Sequence, residues 1–228
     1  MSVAAGRSRI VVTAVWAAFF YVLWLTHGSA RFLGTRTQWL VPFGAITLTV
    51  AAALALRSQR RTRTPLSLAE AIGLFTLVVP LALLLLAPHA QLGAYAASRK
   101  ATSFFPAVKP PPPATPRDVT LLDIRVAEDD NVFALTSHIH SGTRVGLLGL
   151  VTGVGTGRFS LTRFYITCCI ADAQPVTIQV EWPRPVTRNH WVWVTGVLRA
   201  PSSRFTLAAD AVTPRPSPSD PYLSFSSY

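Results

Sequence analysis

Three apolar stretches, roughly Ile10 to Leu25, Trp39 to Leu56 and Leu68 to Ala87, constrain this chain more than any other feature. Each comes close to the roughly 20 residues that cross a bilayer core as a helix. Half of the residues are hydrophobic and only 14% are charged, which moves the chain away from ordinary soluble domains. The pattern predicts a membrane α region over residues 1–88 containing three transmembrane helices. The first stretch, with Arg7 and Arg9 before it and Gly28-Ser29-Ala30 after it, has the outline of a cleaved signal peptide. Two further spans following closely, and its aromatic Trp16, Phe19, Phe20, Tyr21 and Trp24, favour a retained anchor.

Charge sets the expected orientation. The densest basic cluster, Arg57, Arg60, Arg61 and Arg63, lies between the second and third stretches and predicts a cytoplasmic loop. The amino terminus is then inside, and everything after about residue 88 is outside. The expected location is the cell membrane, multi-pass, with an extracytoplasmic carboxyl-terminal domain. Arg99, Lys100, Lys109 and Arg117 run against this orientation, although long translocated domains are less bound by the rule.

The formal net charge of +11 is unevenly placed. Residues 1–118 hold twelve Lys/Arg against Glu70 and Asp118, whereas residues 119–228 hold nine Arg against eight acids. A nearly neutral second half lacks the electrostatic footprint that a phosphate backbone requires, so the lipid bilayer and not nucleic acid is the expected partner. Glu70 follows Ser67 at capping-box spacing, which favours a helix cap over a transport carboxylate. Pro80 should bend the third span.

Residues 89–118 include the run Pro110 to Pro113 and Pro116, and read as an extended, semi-rigid spacer. From Val119 the pattern changes to short runs rich in Val, Ile, Thr and aromatics, broken by turn residues. Strands are expected near 119–127, 131–139, 144–153, 159–168, 175–182, 191–199 and 204–212. Gly149 and Gly196 inside apolar strands suit the bends of a small barrel, so residues 119–213 predict an OB-like β-barrel domain, with a sandwich as the alternative. Residues 214–228, rich in Pro and Ser, predict a disordered tail. Gly153-x-Gly155-x-Gly157 superficially resembles a nucleotide-binding loop, but no helix follows it and a hairpin turn is expected.

The only two cysteines are adjacent, in Arg163-Phe-Tyr-Ile-Thr-Cys168-Cys169-Ile-Ala-Asp172-Ala173. Neighbouring strand residues point to opposite faces, so both sulfurs reach one site only where the strand ends in a turn. Three readings stay open. Thiolates bind soft or borderline cations, with Asp172 and His138, His140 or His190 available to complete a metal site, the first two sharing a strand face. A strained bridge between neighbours would give redox chemistry. Cysteine also serves as a small core hydrophobe. A contact between Arg163 and Asp172 would brace the loop that carries the thiols, with a merely solvated Arg163 as the alternative. No Ser-His-Asp arrangement, recognisable carboxylate pair or phosphate loop argues for an enzyme.

The combination Gly149-Leu-Val151, Arg163-Phe164-x-Ile166-x-Cys168-Cys169-x-Ala171-Asp172-Ala173 and Trp191-Val-x-Val-x-Gly196 resembles the YcgQ-like bacterial family of predicted permease subunits. The resemblance spans nearly the whole chain. It implies amino-terminal membrane helices, an OB-like carboxyl-terminal domain and a larger polytopic permease as partner, so the chain would be an accessory subunit of a two-component transporter, with an extracytoplasmic thiol-redox protein or a purely structural scaffold for the permease as the alternatives. Zinc is a solute or ligand compatible with the cysteines on this resemblance. Three retained spans would exceed the two usual in the family.

Overall fold

The computed structural model describes residues 5–58, 72–73, 75–79, 92–99, 112–113, 118–200 and 204–223. The chain divides into two compact units, one of Met1–Phe32 with Thr37–Ala90 and one of Leu33–Arg36 with Gln91–Tyr228.

In the first unit, α1 (Ala5–Leu25) packs on α2 (Leu40–Ser58). The side chains buried there are small, Ala17, Val41, Ala45 and Ala52, as expected where helix backbones approach closely. Large apolar side chains such as Val11, Phe43, Ile46 and Leu54 face outward. Both helices are long and apolar enough to cross a membrane. The described structure thus contains two candidate spans and not three. Residues 75–79 are helical, and Trp16 Nε1 donates to the Leu77 carbonyl at 3.1 Å. Apart from residues 72–73, which are also helical, the rest of the third stretch lies outside the described residues, as do Arg60, Arg61, Arg63 and the Pro110–Pro111 end of the proline run; Glu70 and Pro80 fall in that undescribed part.

The second unit corrects the strand assignment at its start. Residues expected as strands at 119–127 and 131–139 form two helices, α4 (Leu121–Asp129) and α5 (Asn131–Thr136). Capping decides this. The Thr120 side chain accepts from the Asp123 amide while Asp123 accepts from the Thr120 amide, and Asp130 accepts from the amides of Val132 and Phe133. Glu128 to Asn131, where the first two expected strands were to be joined by a turn, are a helix end and a helix start. Residues 94–99 of the expected spacer form a short helix, α3 (Ala94–Arg99).

Six strands follow: β1 (Arg144–Gly155), β2 (Arg158–Tyr165), β3 (Gln174–Glu181), β4 (Trp191–Arg199), β5 (Thr206–Pro214) and β6 (Tyr222–Leu223). They make one sheet in the order β1-β4-β5-β3-β2-β6, and β1 also pairs with β2. The β3–β5 and β2–β6 pairings are parallel and the others antiparallel. The Gly153–Gly157 segment is a hairpin, with Gly155 opposite Arg158. Gly196 sits at a bulge in the β4–β5 register, where a Cβ would lie 2.2 Å from the Ala208 carbonyl oxygen. Gly149 lies in regular register and makes room for the Leu161 side chain.

Leu121, Leu122, Ile124, Val126 and Phe133 of the two helices join inward residues of every strand from β1 to β5 in one core, including Leu147, Phe159, Leu161, Val180, Val194, Leu198 and Leu207. A smaller cluster of Phe164, Ile166, Ala173 and Tyr222, with Leu92, Ala96, Ala97 and Ile170 against it, lies beside the end of β2. It explains the remaining corrections. Leu92, Ala96 and Ala97 bury apolar surface on the sheet unit, so residues 92–99 are packed and not extended. Tyr222 does the same from the other terminus, so residues expected as disordered tail supply β6.

Candidate functional site

Strand β2 ends at Tyr165, and the chain then turns through Thr167 and Cys168 into a single 3₁₀ turn, Ile170–Asp172. The Asp172 carboxylate makes this turn. One oxygen accepts from the Thr167 amide at 3.1 Å and the other from the Cys168 amide at 2.8 Å, while the Asp172 amide returns to the Cys169 carbonyl at 3.1 Å. A side-chain acceptor thus replaces the lost ladder partners of two consecutive amides, which fixes the loop carrying the thiols.

The two sulfurs lie 3.6 Å apart, with Cys168 exposed and Cys169 half-buried, both as free thiols. The strand end therefore brings them to one place, and neither belongs to the two buried apolar clusters. The core-filler reading is set aside on that ground. A hydrogen bond to Asp172, then one to Cys169, pushes the Cys168 thiol up to about 11, so it holds its proton at neutral pH. Burial would raise the pKa of Asp172, but the Cys168 and Thr167 hydrogens outweigh it and hold the carboxylate below its ordinary value.

The other expected site residues lie elsewhere. Arg163 does not brace Asp172. Its guanidinium donates to the carbonyls of Asp220 at 2.9 Å, Tyr222 at 3.2 Å and Pro221 at 3.4 Å, holding the carboxyl-terminal segment against β2. Burial lowers its pKa, partly offset by the charge of Asp220. His138 and His140 do not share a strand face. They lie in the turn after α5, His138 with φ of 54°, and Thr143 Oγ1 donates to the His138 carbonyl and accepts from the His140 amide. Exposed His190 approaches the Arg188 carbonyl through Nδ1 at 3.2 Å. Among the described residues no group of three or more His, Cys, Asp and Glu is arranged to hold a metal ion.

Two contributors were missed by sequence reasoning. Leu33 forms an antiparallel bridge with Cys169, and the Gly34 amide donates to the Cys168 carbonyl at 3.0 Å. Gly34 is buried, and a Cβ on it would lie 3.0 Å from the Thr167 carbonyl oxygen. The Arg36 charge acts on the Tyr165 phenol, lowering a pKa that burial raises. The segment joining α1 to α2 thus contacts the thiol loop through successive residues. Asn189 is the second: its Oδ1 accepts from the Ala94 amide at 2.8 Å and caps α3. A glycine in a short polar connection was the only local sign of the first, and an asparagine beside a turn the only sign of the second.

Comparison with protein families bears on this sheet. Residues 141–223 match the DUF1980 C-terminal domain. The matched segment begins after α5 and contains all six strands, the cysteine turn and the Arg163 anchor. That agrees with the YcgQ-like resemblance at the level of this domain. The comparison with curated proteins finds no match.

Proposed function

We propose that the chain is a multi-pass membrane accessory subunit of a two-component permease, whose DUF1980 C-terminal domain is an OB-like barrel that presents Cys168 and Cys169 to a soft or borderline metal ion. The observation that carries the reading is the sulfur separation. Two sulfurs 3.6 Å apart, each about 2.3 Å from a zinc ion, subtend about 103° at the metal, close to tetrahedral. Asp172 lies beside them as a further oxygen donor or as the group that holds the loop. Two thiolates leave coordination positions open, which suits a solute that is taken up and passed on better than a closed structural site.

The barrel is supported by the pairings, which run from β1 through β4, β5, β3 and β2 and return to β1, with β3 and β5 parallel. Three spans are supported by parity. Leu33–Arg36 and Gln91–Tyr228 belong to one compact unit and so to one side of a membrane. If α2 crosses once, the chain between residues 58 and 91 must cross back, and Leu68 to Ala87 is the apolar stretch available. A carboxyl-terminal reporter active only in the cytoplasm would overturn the extracytoplasmic placement.

The metal reading is tested on the full chain in detergent, reduced and handled anaerobically. One equivalent of zinc retained on dialysis, and lost in Cys168→Ser/Cys169→Ser, is expected. Failure of the reduced protein to retain zinc, cobalt(II) or copper(I) would sink it. A thiol-redox role is the second reading, favoured by the same sulfur contact; a reversible Cys168–Cys169 bridge found by peptide mapping would support it.

A further inference from the structure

The peptide group between Cys168 and Cys169 has two duties. It sets the direction of both thiols, and its carbonyl accepts the Gly34 amide at 3.0 Å, beside the Leu33–Cys169 bridge. Any reagent that joins the two sulfurs closes a ring through this peptide, so it acts on the same bond that holds the segment between α1 and α2. The direction of the effect follows from distance. At 3.6 Å the sulfurs already stand at a chelating separation with the Gly34 bond in place. A disulfide needs them at about 2.05 Å, so the connecting peptide must twist.

Building on the assignment of the cysteines as the metal ligands, we propose that Leu33–Arg36 is a clip that holds the thiol pair open for chelation, making the α1–α2 connection a sensor of what the thiols hold. A chelated ion strengthens the clip, and a bridge between the cysteines releases it. Because linkage is reciprocal, loss of the clip weakens chelation to the same degree. The fit at Gly34 makes the clip specific: the Thr167 carbonyl and Ile166 Cγ1 stand 3.0 and 3.7 Å from where a Cβ would lie, and there is no room for a branched side chain without displacement. The segment leads directly into Leu40, the first residue of α2, so the state of the thiols has a short covalent route to a candidate span.

The test is amide hydrogen exchange on the full chain in detergent, in three states: reduced, reduced with zinc, and treated with diamide. In the last, each thiol gives up a hydrogen, one S–S bond forms and the azo group is reduced to the hydrazine. The Gly34 amide should exchange roughly fivefold more slowly with zinc and roughly fivefold faster after diamide. Gly34→Val should weaken zinc retention by a similar factor while raising the yield of the intraloop bridge. Stoichiometric zinc binding with unchanged Gly34 exchange would overturn the clip and leave the metal reading standing. Absence of zinc binding would overturn the metal reading and the chelation half of the clip, and the diamide arm would still decide the other half. The exchange arms use the unaltered protein, so they hold even where Gly34→Val fails to fold.

Discussion

Replacing Asp172 by Asn removes the charge beside Cys168 and keeps one carbonyl oxygen to accept a loop amide. The carboxylate, foremost through its hydrogen bond with the thiol, is the main reason that Cys168 stands at about 11 instead of its ordinary 9.0. At pH 8 these values correspond to thiolate fractions of about one in a thousand and about one in ten. A nearly hundredfold gain in thiolate is partly cancelled because the less basic sulfur is less nucleophilic, by roughly eightfold for two pKa units at a Brønsted slope of about 0.45. Because the Cys169 contact and burial also raise the thiol and remain in the variant, that figure is a ceiling, and the net expectation is alkylation faster by up to about tenfold. The assay is the pH dependence of iodoacetamide labelling, with each cysteine followed by peptide mapping. The midpoint for Cys168 should move down toward 9 in Asp172→Asn. The same shift carries a stability sign. A thiol whose pKa is raised by folding supports the loop below pH 9 and loses that support as pH rises toward 11, so loop amides should exchange faster over that window. Labelling that is unchanged within twofold, or slower, would refute the claim that Asp172 holds the proton on Cys168.

Arg163→Ala removes all three guanidinium contacts to residues 220–222 and should destabilise β6 by about 2–3 kcal/mol. Chymotrypsin should then cleave at Tyr222, which is buried in the unaltered protein. Gly196→Ala should cost about 3 kcal/mol or more, since its Cβ would collide with the Ala208 backbone. Gly155→Ala, where the nearest atoms are at 3.7 Å, is the tolerated control in the same thermal-melt comparison. Asn189→Gly keeps a residue suited to the observed φ of 63° and removes only the cap on α3. Losing that one long-range hydrogen bond should cost about 1 kcal/mol and speed exchange of the Ala94–Arg99 amides, whereas an unchanged rate would show that apolar packing alone holds the helix.

Strands β1 and β3 were legible because they alternate in burial and end at recognisable turns; Val145, Leu147, Val176, Ile178 and Val180 are buried at period two. The helices α4 and α5 were not, for a physical reason that can be located. Their apolar residues are β-branched or clustered enough to read as strand, and the deciding signals were Thr120-x-x-Asp123 and Asp130, cap residues easily read as a turn. The Cys168–Asp172 grouping was legible because it is local: the side chain reaches back over four and five residues to amides that strand termination had freed. Long-range partners such as Gly34, Asn189 and the Asp220–Tyr222 carbonyls leave no periodic trace, because each contributes one or two bonds from a loop.

This separation of local from distant partners bears on what the cysteines are for. Along the run from Arg163 to Ala173, most side chains have a structural role. Arg163 fastens the carboxyl-terminal segment, Phe164, Ile166 and Ala173 fill the smaller core, and Asp172 ties two amides. Ala171 is exposed. The cysteine sulfurs meet at 3.6 Å outside both clusters, and the one tie the Cys168 side chain makes to the loop, its hydrogen bond to Asp172, is one a serine hydroxyl can also make. Serine at both positions preserves the backbone bonds of the loop as well. If the pair were there for the fold, the double serine variant would have to melt well below the unaltered protein; if it is there for a ligand, stability should change by less than about 0.5 kcal/mol while zinc retention disappears. The arrangement favours the second outcome, since everything that shapes the loop is supplied by Asp172, by Gly34 and by main chain.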